Sequence, residues 1–220
     1  MTVPRFIRAL QARLSGPLPG REAQERMAPV PRSSLPQRRP EEEAVPSAVL
    51  ILLFEKDSEW FFVLTERTTR VEHHQGQVSL PGGAQEKGES SEQTALRETE
   101  EELGIPPEGI SIIGELSPLF IAASGFRVHP VVGWSDGEPE ITPDPVEVGS
   151  VHFASVAQLM DRATIRREVR QIRGKKVDVP FFQFDTVQVW GATAVILAEF
   201  REVLMSSEAK SRRLLSGRMK

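Results

Sequence analysis

Three glutamates, Glu98, Glu101 and Glu102, follow directly behind Arg97 in the stretch GESSEQTALRETEEELG, which runs from Gly88 to Gly104. Spacings of three and four residues stack on one side of an α-helix, so a helix here gathers the three carboxylates into one patch. Such a patch costs stability. Like charges at i,i+4, as at Glu98 and Glu102, are unfavourable by roughly 0.2–0.5 kcal/mol, and exposed acids in a last turn oppose the helix dipole at about 0.3–1 kcal/mol each. A hard divalent cation reverses the sign of both effects, because clustered carboxylate oxygens are what Mg²⁺ or Mn²⁺ binds. Mg²⁺ keeps several waters and bridges substrate phosphates, so few protein ligands are needed. A solvated acidic face has the same composition, and the surroundings must separate the two. Gly82-Gly83 lies just upstream and gives a backbone able to approach a ligand closely, with a carbonyl free to join a metal site.

The helix that would carry these acids is delimited at both ends. Ser90 followed by Gln93 has the form of a capping box, and Gly104 supplies a left-handed stop, which predicts a helix over 91–103. Leu96, Thr99 and Leu103 fall on another arc, expected to face the core. Around it the chain is rich in strand patterns. Ala48–Phe54 and Trp60–Thr65 flank a polar turn and predict a hairpin; Gln77–Leu80 is a short strand ending at Pro81-Gly82-Gly83. Further strands are expected at 110–116, 128–134, 148–153, 167–172 and 177–184, with Arg173-Gly174-Lys175-Lys176 as the turn of the last hairpin, and a second long helix over 192–206. Many strands with few, separated helices predict a mixed-sheet α/β (α+β) sandwich rather than a doubly wound parallel sheet.

Seven prolines between residues 15 and 47 break both helix and sheet, so that stretch is expected to be an extended lead-in. The organisation expected is therefore an N-terminal helix and Pro-rich lead-in over 1–46, a domain over 47–207 and a basic tail over 208–220. Arg5, Arg8 and Arg13 precede the first acid, Glu22, and faintly resemble an organellar transit segment; Phe6, Ile7, Leu10 and Leu14 recur at helical spacing, and a short docked helix is the reading adopted.

Bulk properties exclude several classes. A formal charge of −4 and a pI near 5.7 leave no broad basic footprint for nucleic acid. The longest apolar run, Ala48–Phe54, is far too short to span a bilayer. The absence of cysteine excludes disulfides, thiolate metal sites and cysteine nucleophiles and fits a reducing compartment, expected to be the cytoplasm with an organellar matrix left open.

Gly83, Glu89, Arg97, Glu98, Glu101, Glu102, Gly104 and Ile105 stand in the order and spacing Gly-x5-Glu-x7-Arg-Glu-U-x-Glu-Glu-x-Gly-U, where U is aliphatic. This resembles the box of the Nudix hydrolases; Thr99 departs from it, where an aliphatic residue is preferred. The resemblance implies an α/β/α sandwich with a mixed sheet, hydrolysing a diphosphate linkage with Mg²⁺ or Mn²⁺. It makes Glu98 and Glu102 the principal metal ligands, with Glu101 a further ligand or base and the Gly82 carbonyl a contributor. Arg97 and Glu89 would pair to hold helix and loop, with Gly83 and Gly104 structural. A general base often comes from a later loop in such proteins. Glu147 is the candidate, and an ordinary exposed acid before a strand reads identically.

Outside the box, LTERTTRVEHHQGQVSLPGG (64–83), SGFRVHPVVG (124–133), VPFFQF (179–184) and VWGATA (189–194) resemble the coenzyme A diphosphatase subfamily. That likeness implies cleavage of coenzyme A to 3′,5′-ADP and 4′-phosphopantetheine. Glu72, Leu80 and Thr68 depart from it, the first standing where a cation is expected. The alternatives kept are a Nudix hydrolase of ADP-ribose or a dinucleotide, and a non-catalytic nucleotide sensor. The partner expected is a small nucleotide, with no nucleic acid and no membrane, and with a homodimer left open. Arg67 and Arg127 are candidate phosphate contacts, or surface cations. His74 is a candidate substrate contact; with His73 it lacks the third ligand that a transition-metal site requires, and a polar loop explains the pair. The basic stretch from Arg166 to Lys176 reads as a solvated hairpin or a nucleic-acid contact, and Trp190-Gly191 as a pocket lining or the packed start of a helix.

Overall fold

The computed structural model describes residues 3–31, 40–68, 77–172 and 174–216, the stretch 207–216 as backbone. Apolar runs in the middle of the chain form a mixed sheet. β1 (Val45–Lys56) and β2 (Glu59–Arg67) make the expected hairpin, paired antiparallel from Leu53↔Phe62 to Lys56↔Glu59. Beyond that the two strands part. Into the gap comes the segment carrying β3 (Val78–Ser79) and β4 (Gly82–Ala84): β3 pairs with β2 through Thr65↔Ser79, and β4 pairs with β1 through Ala48↔Gly83 and Val49↔Gly82. The Gly82-Gly83 pair is thereby built into the middle of the sheet rather than left in a loop.

On its other edge β1 runs parallel to β7 (Phe126–Trp134), which pairs antiparallel with β5 (Ser111–Glu115) and β6 (Leu119–Ile121); β8 (Val148–Ser155) closes on β2. This parallel pair makes the sheet mixed, as the strand-rich pattern predicts. β9 (Ile165–Ile172), β10 (Lys175–Phe184) and β11 (Val187–Trp190) form a separate antiparallel sheet. β10 begins at Lys175, so the expected four-residue turn is shorter, with Arg173 outside the described residues.

β1 is apolar on both faces because both are covered. Leu50, Leu52 and Phe54 pack with Ala95 and Leu103 of helix α3 (Ser91–Leu103), whereas Ile51 and Leu53 pack on the side that holds Ile7, Leu10, Leu197 and Phe200. That second side is built by α1 (Arg5–Leu14), the short α2 (Gly20–Glu25), α4 (Val156–Met160) and the long α5 (Gly191–Ser216). The docked N-terminal helix is as expected: Ile7, Leu10 and Leu14 are its buried residues. The lead-in, by contrast, is not wholly extended. Residues 20–25 turn into α2 because GREAQE holds no proline, and Ala23 and Gln24 are buried. α5 continues to Ser216 rather than stopping near Ser206. Among the described residues no helix is long and apolar enough to cross a membrane.

Candidate functional site

α3 has both expected ends. Ser90 accepts from the Gln93 N–H while Gln93 accepts from the Ser90 N–H, and Gly104 sits at φ 68°, in the left-handed region that favours glycine. The helix lies across β1 and β4, so the residues it turns inward meet the β3–β4 wedge. Thr99, where the box prefers an aliphatic side chain, is fully buried and satisfies its hydroxyl by donating to the Ala95 carbonyl at 2.7 Å.

The three acids do not share one environment. Glu102 is only 5% exposed, and its carboxylate accepts from the Gly82 N–H and lies 3.5 Å from the Thr65 hydroxyl. The Glu98 side chain is 16% exposed, and that of Glu101 59%. The single patch expected from spacing is therefore graded, with Glu102 buried, Glu98 half-buried and Glu101 turned out, because α3 presses its Glu98–Glu102 edge onto the Gly82-Gly83 backbone. A β-carbon on Gly83 would overlap the carboxyl carbon and both oxygens of Glu98. What Gly82 gives Glu102 here is its N–H.

Burial pushes the Glu102 carboxyl up to about 7, with the negative charges of Glu98 and Glu147 adding to it and Arg67 and the Gly82 N–H opposing. Glu98 is raised as well, again chiefly by burial, against the hydrogen bond from Arg97. Two carboxyls in one desolvated corner, both raised by burial and Glu102 further by the charge of Glu98, form a donor set that a cation would stabilise. Among the described residues no group of three or more His, Asp or Glu is drawn close enough to hold an ion alone. Mg²⁺ does not require one, since water and substrate phosphate complete its shell. The residues present fit a hard divalent ion.

Arg97 locks the helix to the preceding loop. It donates to Glu89 at 2.8 Å, to Glu98 at 2.8 Å, to Glu101 at 3.0 Å and to the Ala84 carbonyl at 3.1 Å. The hydrogen bond from Arg97, followed by that from the Glu86 N–H, holds the Glu89 carboxyl down at about 2, and Thr94 adds a hydroxyl at 2.8 Å. The Glu89–Arg97 pairing anticipated from the box is present.

Other candidates divide. Arg67 bears on Glu102 and lines a cavity of about 450 Å³ with Glu66, Thr68, Pro145, Val148, Gly149 and Ser150. Glu147 is exposed, yet its charge reaches both Glu98 and Glu102. Arg127 is engaged elsewhere, in an ion pair with Glu41 at 3.2 Å. His74 lies outside the described residues, as do Glu72 and His73. Two cations of the basic hairpin are engaged within it: Arg167 pairs with Asp178 at 2.8 Å, Arg170 with Glu168, and the Arg170 guanidinium covers the Trp190 ring at 4.3 Å. Sequence reasoning gave no role to Thr65, Thr68 and Asp144. Thr65 carried a signal in the LTER motif and Thr68 stood out there only as a departure from it; Asp144 is recognisable only once the chain is folded.

The model of the NUDIX domain family matches residues 44–173. Nudix hydrolase 15, mitochondrial, of Arabidopsis thaliana is 36% identical over 159 residues, covering 69% of this chain and 55% of its own. This chain thus spans little more than half the length of that relative. An uncharacterized Nudix hydrolase NudL of Photorhabdus laumondii is 31% identical over 141 residues, 64% of this chain and 75% of its own. Among solved structures, a MutT/nudix family protein from Enterococcus faecalis superposes with a TM-score of 0.48 at 15% identity, over 93% of this chain and 76% of its own.

Proposed function

The chain belongs to the NUDIX domain family, and we propose that it is a divalent-metal-dependent pyrophosphohydrolase whose substrate is coenzyme A or a derivative, cut to 3′,5′-ADP and 4′-phosphopantetheine. The observation that carries the reaction class is the pairing of buried Glu102 with half-buried Glu98, both carboxyls raised, with Glu98 seated against a glycine whose missing β-carbon leaves it room. Glu98 and Glu102 would hold Mg²⁺ or Mn²⁺, with Glu101 and the Gly82 carbonyl as further oxygens. Bound there, the ion would neutralise diphosphate charge and make water at the site more acidic. Arg67, on the wall of the adjoining cavity, offers a planar fork of donors to a phosphate. Glu147, whose charge reaches the pair, takes the proton from the attacking water as general base. Arg97 and Glu89 keep α3 in register with the loop before it.

The coenzyme A assignment is supported by the likeness of residues 64–83 to the signature of coenzyme A diphosphatases, whose Thr65, Arg67 and Gly82 stand around Glu102. The compartment proposed is a reducing one, the cytoplasm or an organellar matrix, in keeping with a chain free of cysteine. The test is a product-resolved screen of diphosphate compounds at saturating Mg²⁺. Release of 3′,5′-ADP from coenzyme A is expected, reduced at least about a hundredfold in folded Glu98→Gln and Glu102→Gln proteins. Turnover of ADP-ribose or a dinucleotide with none of coenzyme A would reassign the substrate. Binding across the panel with no hydrolysis would make the protein a nucleotide sensor.

A further inference from the structure

α3 ends with its last carbonyls turned toward the segment that precedes β8. The Thr142 N–H donates to the Leu103 carbonyl at 2.8 Å and the Asp144 N–H to the Glu102 carbonyl at 3.0 Å. The orphan acceptors of the helix end are thus met by an incoming loop. Asp144 then folds that loop back on itself. Its Oδ1 accepts from the Val146 N–H at 2.8 Å, and its carbonyl accepts from the N–H groups of Glu147 at 3.2 Å and Val148 at 2.8 Å.

Thr68, just past the end of β2, closes the same loop from the opposite side. Its hydroxyl donates to the Val146 carbonyl at 2.9 Å, and its N–H donates to the Glu147 carbonyl at 3.0 Å. Thr68 is 9% exposed, so this contact is shielded from competing water. Glu147 is consequently tied at its own N–H by Asp144 and at its own carbonyl by Thr68, although its side chain is free of the core. The loop that caps the acid-bearing helix is also the loop that delivers one more negative charge to Glu98 and Glu102.

We infer that Thr68 and Asp144 are positioning residues for Glu147, holding its carboxylate against the Glu98–Glu102 pair. The inference rests on Glu147 acting as the base. Neither residue touches the reacting atoms; each acts by restricting where the Glu147 backbone sits. Thr68→Val preserves shape and removes the hydroxyl, leaving the Val146 carbonyl without that donor. Misplacement of a catalytic group by about 1 Å costs up to about a hundredfold in rate, and a single softened anchor about tenfold.

The experiment measures kcat and KM for the diphosphate that the wild-type chain cleaves at saturating Mg²⁺, and Mn²⁺ affinity by calorimetry. The proteins are wild type, Thr68→Val, Thr68→Ser, Glu147→Gln and the Thr68→Val/Glu147→Gln double variant. Thr68→Val is expected to lower kcat about tenfold with KM within about twofold, and Thr68→Ser, which keeps the donor, to recover kcat to within about threefold. In the Glu147→Gln background Thr68→Val is expected to change kcat by less than about twofold, because no carboxylate remains to be positioned. Should Thr68→Val not fold, Asp144→Ala reads the same clamp and Asp144→Asn, which keeps Oδ1, is its conservative partner. An unchanged kcat in Thr68→Val, or an equal loss in both backgrounds, overturns the inference. If the wild type cleaves no diphosphate, the reading as a hydrolase falls on its own, and the clamp is judged by Mn²⁺ affinity. Thr68→Val and Glu147→Gln should then each weaken it by about threefold and no further in combination; affinity indifferent to Thr68 overturns the clamp.

Discussion

The carboxyl group of Glu98 fills the space beside Gly83 that a β-carbon would need. The neighbouring glycine has a different duty. A β-carbon on Gly82, whose φ is 151°, would meet the Ala48 carbonyl oxygen and the Val49 backbone in the adjoining strand. One glycine therefore makes room for a reactive side chain and the other for the sheet.

Alanine at the two positions should separate these duties. Gly83→Ala displaces only the end of a flexible side chain, so its melting temperature should stay within about 3 °C of wild type while Mn²⁺ affinity and turnover fall at least about tenfold. Gly82→Ala presses on backbone and should cost more than about 2 kcal/mol of stability. Thermal melts and Mn²⁺ titrations of both proteins check this. Full Mn²⁺ affinity in Gly83→Ala would show that Glu98 does not need its observed place.

The acid-bearing helix was legible in the residues because its signals are local. Ser90, Gln93 and Gly104 mark its ends, and spacing placed Thr99 and Leu103 inside. What could not be read is how that helix meets the sheet. The burial of Glu102 and the outward turn of Glu101 depend on the β3–β4 wedge entering between β1 and β2, a pairing between residues far apart in sequence. Gly82-Gly83 was recognised as a close-approach backbone, yet its strand pairing was not, since a three-residue strand has no periodicity to detect. The clamp of Thr68 on the Glu147 loop crosses 78 residues between hydroxyl and carbonyl and leaves no local mark. Proline density hid α2 as well, by masking the short proline-free stretch between Pro19 and Pro29 in which it forms.

Divalent metal should stabilise the fold as well as activate it. Burial raises both Glu98 and Glu102, and the negative charge of Glu147 adds to each, so their charged forms are disfavoured until a cation binds. An ion bound only by the folded state adds about 2.7 kcal/mol at a hundred times its dissociation constant, or roughly 5–10 °C in melting temperature for a chain of this size. Scanning calorimetry with Mn²⁺ and then with excess chelator should show that rise and its reversal. Glu98→Gln and Glu102→Gln should melt at a temperature that Mn²⁺ no longer moves.

Acid should unlock the helix at Glu89. Its carboxyl is held at about 2 against an ordinary 4.5, first by the Arg97 hydrogen bond and then by the Glu86 N–H. The folded chain thus gives up this proton more readily than the unfolded chain. The pair's contribution is complete above pH 4.5 and disappears as pH falls toward about 2. Urea melts of wild type and Glu89→Gln across that interval should differ at its upper end and converge at its lower end. Parallel curves would mean that the ion pair adds nothing to folding.

The short helix α2 is fastened by a buried acid on α5. Glu199 on α5 is fully buried and accepts from the Gly20 N–H at 3.0 Å, the Gln24 side-chain amide at 2.8 Å and the Ser117 N–H at 3.3 Å. Those donors belong to α2 and to the segment between β5 and β6, so one carboxylate joins three parts of the chain. Glu199→Ala leaves the donors facing a cavity, a change that should cost about 2–3 kcal/mol and lower the melting temperature by roughly 4–12 °C. α1 and α2 should loosen first, because α5 keeps its apolar contacts with the sheet through Leu197 and Phe200. Hydrogen exchange should therefore rise across residues 5–25 well before it rises in β1, and the site around Glu102, on the opposite face of the sheet, should retain its Mn²⁺ affinity. Equal acceleration in β1 would instead make Glu199 a support of the whole domain.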